Sequence, residues 1–177
     1  METISDLRAQ FRKDLPWISV RTPDSIDLLD GKITGCTAIS LHPNADERGH
    51  LTELLTTRAG DIEPIVHVYQ VFAESGSLRA WIYHAKQTDR LCFTHGLFRI
   101  ALFDLREDSP TYGKLATLTA GAESPMLLTI APIVAHGVMN IGGSGASYLN
   151  LPTRVYDLED PDKYRIPPDS SLIDFAW

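Results

Sequence analysis

IVHVYQVFAESGSLRAWIYHAKQTDRLCFTHGLFRIALFDL, residues 65–105, is the stretch that decides the fold class. It contains several short runs that are rich in β-branched and aromatic residues, and turn-forming residues separate these runs. Runs of the same kind continue from residue 33 to residue 156, at intervals of roughly 8–12 residues. Segments this short and this closely spaced are typical of a sandwich or barrel rather than of βαβ units. The pattern predicts an all-β protein.

The two ends of the chain differ from this β-rich centre. Apolar residues recur at helical spacing near the N-terminus: Ile4, Leu7, Phe11 and Leu15. They predict a short amphipathic helix within an extension formed by residues 1–32. Residues 157–177 are rich in proline and aspartate, and we expect their aromatic side chains to pack on the barrel of residues 33–156. Without a repeat or a linker, residues 1–177 are expected to form a single domain.

Composition narrows the classes of function. The chain has 177 residues, 44% of them hydrophobic, and a net charge of −7. This charge disfavours nucleic acid as a partner but leaves room for a small anion held by local arginines. The sequence contains no apolar run long enough to cross a membrane and no secretory signal pattern. Cys36 and Cys92 are therefore expected to be reduced thiols, and the protein is expected to be cytoplasmic.

Motifs then identify a family. In PIVAHGVMN, three residues match the cupin pattern P-x-G-x-x-H-x-x-x-N, namely Pro132, His136 and Asn140, while Val134 replaces the glycine. Five stretches occur in the order DERGHLTEL, LRAWIYH, DLREDSPTYGK, IAPIVAHGV and LPTRVYD. They resemble the motifs D-x-R-G-x-[FL]-x-E, L-R-G-L-H-[FY]-Q, D-[IL]-R-x-x-S-P-T-[FY]-G, I-P-x-G-x-A-H-G-F and Y-K-x-T-x-x-Y of the dTDP-4-dehydrorhamnose 3,5-epimerase family. The resemblance covers about residues 33–177.

The resemblance implies a fold and an activity. Members of this family are cupin homodimers, with a double-stranded β-helix (jelly-roll) barrel and no cofactor. They bind a nucleoside-diphosphate 4-keto-6-deoxy sugar and epimerise it at C3, C5 or both, in the biosynthesis of bacterial surface polysaccharides. A histidine base, an aspartate that orients it and a tyrosine acid move the protons. This chemistry is needed because a C–H bond beside a ketone is only weakly acidic.

The resemblance also implies substrate-binding residues. Arg48 and Arg79 match the arginines that the family places near the diphosphate, and a guanidinium suits phosphate because its fork donates two parallel hydrogen bonds. Glu53 closes the first motif, Gln70 matches a glutamine on the following strand, and His136 matches the histidine inside the barrel.

Three positions depart from the family pattern. Ile82 stands where the family has its catalytic histidine, and Asp89 stands where it has a lysine. Asn150 occupies the position of the tyrosine acid, where an amide can bind substrate but cannot donate a proton at neutral pH. Asp169 is the nearest match to the orienting aspartate.

A relocated acid–base pair is the alternative. His84 lies two residues after Ile82, and Tyr148 lies two residues before Asn150. Side chains two apart on a strand share a face, so each would lie about 7 Å along its strand from the missing group. We therefore predict His84, Tyr148 and Asp169 as catalytic residues. Trp81 and Tyr83 point the other way and are expected to serve packing or a dimer contact.

A metal is not expected, because His84 and His136 supply two ligands, and transition metals usually take three from the protein. Three functions stay open: an epimerase, a sugar-nucleotide 3,4-ketoisomerase, and a silent sugar-nucleotide-binding module. Ile82 and Asn150 favour the silent module, whereas His84 and Tyr148 favour an enzyme. The sequence predicts the epimerase.

Overall fold

A computed structural model describes residues 33–57 and 62–177 of the chain. The helix predicted within residues 1–32 lies outside the described residues. Within them the protein is all-β, as predicted, and no helix there is long and apolar enough to span a membrane. The described residues form twelve strands: β1 Thr37–Ser40, β2 Pro43–Asp46, β3 Gly49–Thr52, β4 Tyr69–Ala73, β5 Leu78–Tyr83, β6 Asp89–His95, β7 Leu97–Asp104, β8 Leu115–Gly121, β9 Met126–Ile130, β10 Val134–Asn140, β11 Ala146–Asn150 and β12 Tyr164–Arg165.

The strands form two five-stranded antiparallel sheets and one hairpin. The first sheet has the order β1-β9-β6-β11-β4, and the second has the order β12-β5-β10-β7-β8. Strands that are distant in sequence are neighbours in both sheets, as in a jelly roll. The hairpin of β2 and β3 stands apart from these sheets. The predicted cupin barrel is confirmed.

The main hydrophobic core lies between the two sheets. Phe93 of β6 and Phe98 of β7 are fully buried, with ring centroids 5.3 Å apart. Leu91, Val138 and Tyr148 belong to this core and also line a cavity at its edge. Apolar packing therefore fixes the strands whose polar side chains enter the cavity.

The C-terminal segment packs on the outer face of β5. The Trp81 ring lies 5.8 Å from Phe175 and 4.9 Å from Trp177, between ring centroids. Tyr83 stacks on Tyr164 of β12 with centroids 4.7 Å apart. A Cβ on Gly137 of β10 would overlap the Trp177 ring, so glycine permits this close approach. One face of β5 thus serves packing, and its other face is left for the cavity.

Candidate active site

A cavity of about 280 Å³ lies between the two sheets. Strands β4, β6 and β11 of the first sheet supply one wall. The second sheet supplies the other wall, from β5, β10 and β12. Groups on facing walls can therefore approach a bound molecule from two sides.

Asp89, the first residue of β6, is the centre of a buried polar cluster. Its Oδ1 atom accepts hydrogen bonds from Gln87 Nε2 at 2.7 Å and from Asn150 Nδ2 at 3.0 Å. Its Oδ2 atom lies 3.4 Å from His84 Nε2 and 3.2 Å from His136 Nε2. Asp89, His84 and His136 are all buried. The carboxylate thus joins residues from both sheets.

Each histidine turns its other ring nitrogen to a backbone carbonyl. His84 Nδ1 donates to the carbonyl of Asp162, and His136 Nδ1 donates to the carbonyl of Val134 at 3.1 Å. A carbonyl can only accept, so Nδ1 carries a hydrogen in both rings and both Nε2 atoms face Asp89.

These contacts shift the pKa values of two members. Burial opposes the charge on Asp89, but hydrogen bonds and charge from His136 and His84 outweigh it and hold its pKa well below the usual range. Burial likewise disfavours a charged His84, but the hydrogen bond and charge of Asp89 prevail and raise its pKa. Asp89 is therefore an anion that stabilises a positive charge on His84.

The backbone around His84 is held from two directions. The Asp162 carboxylate accepts hydrogen bonds from the N–H groups of Ala85, Lys86 and Gln87, at 2.7, 2.9 and 2.9 Å. Ile133 donates its N–H to the His84 carbonyl at 2.7 Å. Ile133 has φ of 60°, which is unusual for a β-branched residue. The position of His84 therefore depends on the segment that leads into β10.

Two tyrosines stand on the wall formed by the first sheet. Tyr148 packs against Phe93 and Phe98, with ring centroids 5.0 and 5.5 Å away, and burial raises its pKa far above the usual value. The Tyr69 hydroxyl accepts a hydrogen bond from Asn150 Nδ2 at 2.8 Å. Burial and the charge of Asp89 raise the pKa of Tyr69. Both phenols therefore keep their protons at neutral pH.

Three cationic side chains line the cavity: Arg79 of β5, Lys163 just before β12, and Arg165 of β12. Burial and then the charge of Arg165 lower the pKa of Lys163. This concentration of positive charge suits an anionic ligand. The sequence analysis missed Lys163 and Arg165, although their spacing of two in an extended segment places them on one face.

Five of the predicted site residues line the cavity: His84, Tyr148, Arg79, His136 and Asn150. The strand faces predicted for His84 and Tyr148 are therefore the ones that the structure has. Ile82 also lines the cavity and pairs directly with His136 across β5 and β10.

The other four predicted residues are not brought to this cavity. Gln70 is exposed and donates to Ser147 Oγ at 3.1 Å, because β4 turns Tyr69 and Val71 inward instead. Asp169 is exposed in the C-terminal segment, and the carboxylate beside His84 is Asp89.

Arg48 and Glu53 belong to the hairpin region. The Arg48 side chain is 82% exposed and pairs with Asp46, with Nη2 and Oδ2 2.5 Å apart. Glu53 follows β3 directly and is half-buried. Neither lines the cavity of its own chain.

Comparisons with known proteins agree with this architecture. The chain is 36% identical over 140 residues to the "probable low-salt glycan biosynthesis epimerase Agl13" of Haloferax volcanii, covering 77% of this chain and 89% of that protein. It is 34% identical over 145 residues to the spore coat polysaccharide biosynthesis protein SpsL of Bacillus subtilis, covering 82% and 96%.

Solved structures share the fold. A dTDP sugar isomerase from Desulfovibrio desulfuricans superposes with a TM-score of 0.77 at 26% identity, covering 82% of this chain and 92% of that one. The Bacillus anthracis dTDP-4-dehydrorhamnose 3,5-epimerase, solved with TDP and PPi, gives 0.74 at 17% identity, covering 88% and 89%. The family model of dTDP-4-dehydrorhamnose 3,5-epimerase matches residues 30–177. With that match over most of its length, this chain belongs to the dTDP-4-dehydrorhamnose 3,5-epimerase family.

Proposed function

We propose that the protein is an epimerase that acts on a nucleoside-diphosphate 4-keto-6-deoxy sugar, at C3, C5 or both. The observation that carries the proposal is the pairing of buried His84 and Asp89, in a cavity whose facing wall presents Tyr148. The relative from H. volcanii is named as a glycan biosynthesis epimerase, and that from B. subtilis as a polysaccharide biosynthesis protein. Both names fit a sugar nucleotide as the substrate.

The cations that line the cavity would bind the diphosphate. Arg79 lies on β5, and Arg165 lies on β12, which pairs with β5. A guanidinium can donate two hydrogen bonds to one phosphate, and Lys163 adds a third positive charge beside them. This arrangement would point the sugar towards the buried end of the cavity, where His84 and Asp89 lie.

His84 would be the base. The reacting form would be the neutral ring, in which Nδ1 donates to a carbonyl and Nε2 is the atom that can accept a proton. The proton passes from the carbon beside the ketone to Nε2, and the electron pair of the broken C–H bond moves onto the ketone oxygen. Asp89 stabilises the imidazolium that results, and Gln87 and Asn150 hold Asp89 in place.

Tyr148 would return a proton to the opposite side. It projects from the first sheet, whereas His84 follows β5 of the second sheet. Burial keeps the phenol protonated, so it can donate to the carbon that has lost its hydrogen. Donation on the face opposite to removal inverts the carbon.

A homodimer is part of the proposal. Apolar side chains are exposed on the hairpin, in the segment before β4 and on β4, the last strand of the first sheet: Leu51, Ile65, Val66, Val68 and Phe72. Exposed apolar patches of this kind commonly mark an interface. A second copy on this surface would bring the hairpin with Arg48 near a neighbouring cavity, which would explain why Arg48 is distant from its own. Free, buried Cys36 and Cys92 suit a reducing, cytoplasmic location.

Hydrogen exchange tests the chemistry. The protein in deuterated buffer should exchange the C3 or C5 hydrogen of a 4-keto-6-deoxy sugar nucleotide, measured by NMR. His84→Asn and Tyr148→Phe should each slow this exchange by about 100-fold or more, the usual scale for an acid–base group. His95→Asn is the matched control, because His95 is an exposed histidine on β6 and should leave the rate unchanged.

Ligand titration separates the remaining functions. Ile82 and Asn150, at the positions of the family's base and acid, are the observation that favours a silent binding module. Calorimetric binding of a sugar nucleotide without any exchange would establish that module and refute the epimerase. Accumulation of a 3-keto product would instead establish a 3,4-ketoisomerase.

A further inference from the structure

We propose that His84, Asp89 and His136 form a binding site for one divalent transition-metal ion of the zinc class. The ion would lie where His84 Nε2, His136 Nε2 and Asp89 Oδ2 converge in the wall of the cavity. The site itself is independent of the proposed epimerase reaction.

The spacing of the three ligand atoms fits such an ion. Asp89 Oδ2 lies 3.2 Å from His136 Nε2 and 3.4 Å from His84 Nε2, and the three possible ligand atoms all lie within 4.8 Å of one another. A tetrahedral zinc ion has bonds of about 2.0–2.1 Å to nitrogen and oxygen, so two of its ligand atoms are about 3.4 Å apart. Small rotations of the side chains would complete the geometry.

The hydrogen-bond pattern also favours a cation between the three side chains. Both Nδ1 atoms donate to backbone carbonyls, so in two neutral rings both Nε2 lone pairs would be directed at one anionic oxygen. A proton on each Nε2 atom could complete the two contacts with Asp89, but it would place two imidazolium rings 6.1 Å apart in a buried site. One divalent ion satisfies all three ligands at once, with two neutral histidines.

The surroundings are those of a metal site. Ligating histidines almost always donate their second nitrogen to a carbonyl or carboxylate, and ligating carboxylates are themselves hydrogen-bonded. The carbonyls of Asp162 and Val134 serve the two rings, while Gln87 and Asn150 donate to the Asp89 oxygen that faces away from the rings. The cavity leaves room for a further ligand from solution.

The two histidines alone supply only two ligands, which is why the sequence does not predict a metal. Asp89 follows His84 by five residues, at the position where the family has a lysine. Folding places it between the two rings, and that contact supplies the third ligand.

Metal binding has a consequence that rests on the proposed function. The ion would occupy the same Nε2 atom of His84 that the proposed reaction uses as its base. Zinc should therefore inhibit hydrogen exchange in proportion to its occupancy, and a chelator should restore the rate.

Direct titration tests the site. Protein treated with chelator should bind one Zn²⁺ per chain in calorimetry, and one ion should survive gel filtration in elemental analysis. His84→Asn, Asp89→Asn and His136→Asn should each weaken binding by more than about 100-fold. Gln87→Ala, which removes an outer hydrogen bond, should weaken it by about 10–100-fold. His95→Asn should bind like the native protein.

The absorption spectrum with Co²⁺ and the melting temperature of each variant are controls for binding at other residues and for unfolding. Co²⁺ should give visible absorption without a thiolate charge-transfer band, because Cys36 and Cys92 are not ligands. Each variant should match the melting temperature of the metal-stripped native protein to within a few degrees. With Zn²⁺, native protein and His95→Asn should gain the most stability, Gln87→Ala should gain less, and the three ligand variants should gain least. Failure to bind one ion, or binding that survives both Asp89→Asn and His136→Asn, overturns the proposal. Exchange that is unchanged with bound zinc would instead refute His84 as the base.

Discussion

Two buried aspartates, Asp104 and Asp89, have contrasting surroundings. Asp104 ends β7 and accepts hydrogen bonds from Arg106 Nε and Nη2, both at 2.8 Å, from Ser109 Oγ at 2.7 Å and from Thr111 Oγ1 at 2.6 Å. These partners follow it within seven residues. The partners of Asp89 include residues 47 and 61 positions away in sequence, in other strands.

The difference lies in the cation that each carboxylate faces. Arg106 cannot lose its proton in a protein, so the Asp104 cluster is a permanent ion pair that fixes the loop after β7. This accounts for the DLREDSPTYGK motif as a structural element. His84 and His136 can hold or release a proton, and they border a cavity. In this protein, the buried carboxylate paired with arginine therefore has a structural role, whereas the one paired with histidines beside a cavity is a candidate for proton transfer.

The largest expected effect concerns stability. Asp104→Asn leaves Arg106 without its anionic partner and should lower the free energy of unfolding by about 3–5 kcal/mol, as for other broken buried pairs. Asp89→Asn should cost less than about 2 kcal/mol, because its histidines can become neutral. Urea denaturation measures both. Equal losses would abolish the distinction between the two aspartates.

The second effect concerns activity, where Asp89→Asn should have the larger effect and Asp104→Asn the smaller one. Asp89→Asn should slow hydrogen exchange on the sugar nucleotide by about 100-fold, because the imidazolium formed at His84 loses its counter-charge. Asp104→Asn, assayed at a temperature where it is folded, should stay within about threefold of the native rate. NMR exchange at matched folded concentration provides the comparison. A slow Asp104 variant would show that the loop also governs the site.

The third effect concerns ligand affinity. Arg79→Ala, Lys163→Ala and Arg165→Ala should each weaken binding of a nucleoside diphosphate by about 1.5–3 kcal/mol if they contact phosphate. Arg99→Ala is the control, because the Arg99 guanidinium lies 4.8 Å from the Phe175 ring outside the cavity. Calorimetry with the diphosphate provides the measurement. A similar loss in the control would indicate a general charge effect.

The smallest effect is the pH dependence of stability. Burial opposes its charge, but hydrogen bonds from Arg106, Thr111 and Ser109 hold the pKa of Asp104 far below its usual value. The unfolded chain, with a pKa of about 3.9, therefore takes up this proton first as the pH falls. The contribution of Asp104 should be complete above about pH 5 and decline below about pH 4, by at most about 1.4 kcal/mol per pH unit. Native protein and Asp104→Asn should therefore converge in stability in acid, and a constant difference down to pH 2 would contradict this.

The features that could be predicted from the sequence are those that depend on the repeat of side-chain direction along a single strand. The two-residue period of strands placed His84 and Tyr148 on inward faces, and ordered short runs predicted the barrel. Gln70 shows the weakness of the same rule. It was located by comparison with a family motif, and a shift of one residue on β4 moves a side chain to the other face.

Contacts between segments that are distant in sequence could not be predicted from local sequence patterns. Nothing near Asp89 in sequence signals His136 or Asn150, which reach it only when two sheets close. The position of Asp169 depends on the course of the C-terminal segment, which follows from packing on Trp81 and not from a periodic pattern. No local pattern indicates Tyr69, because its hydrogen bond comes from Asn150, 81 residues away.

The hydrogen bond from Ile133 to His84 has a mechanical consequence. Ile133 lies three residues before His136 on the same continuous segment. Its hydrogen bond to His84 therefore links the two histidines through the main chain. Its left-handed φ of 60° is the sharp bend that lets the N–H reach the His84 carbonyl. This backbone link, together with the carbonyl that each Nδ1 contacts, helps to hold the two imidazoles with their centroids 6.1 Å apart. We therefore expect the two rings to stay near each other when the charge of Asp89 is removed.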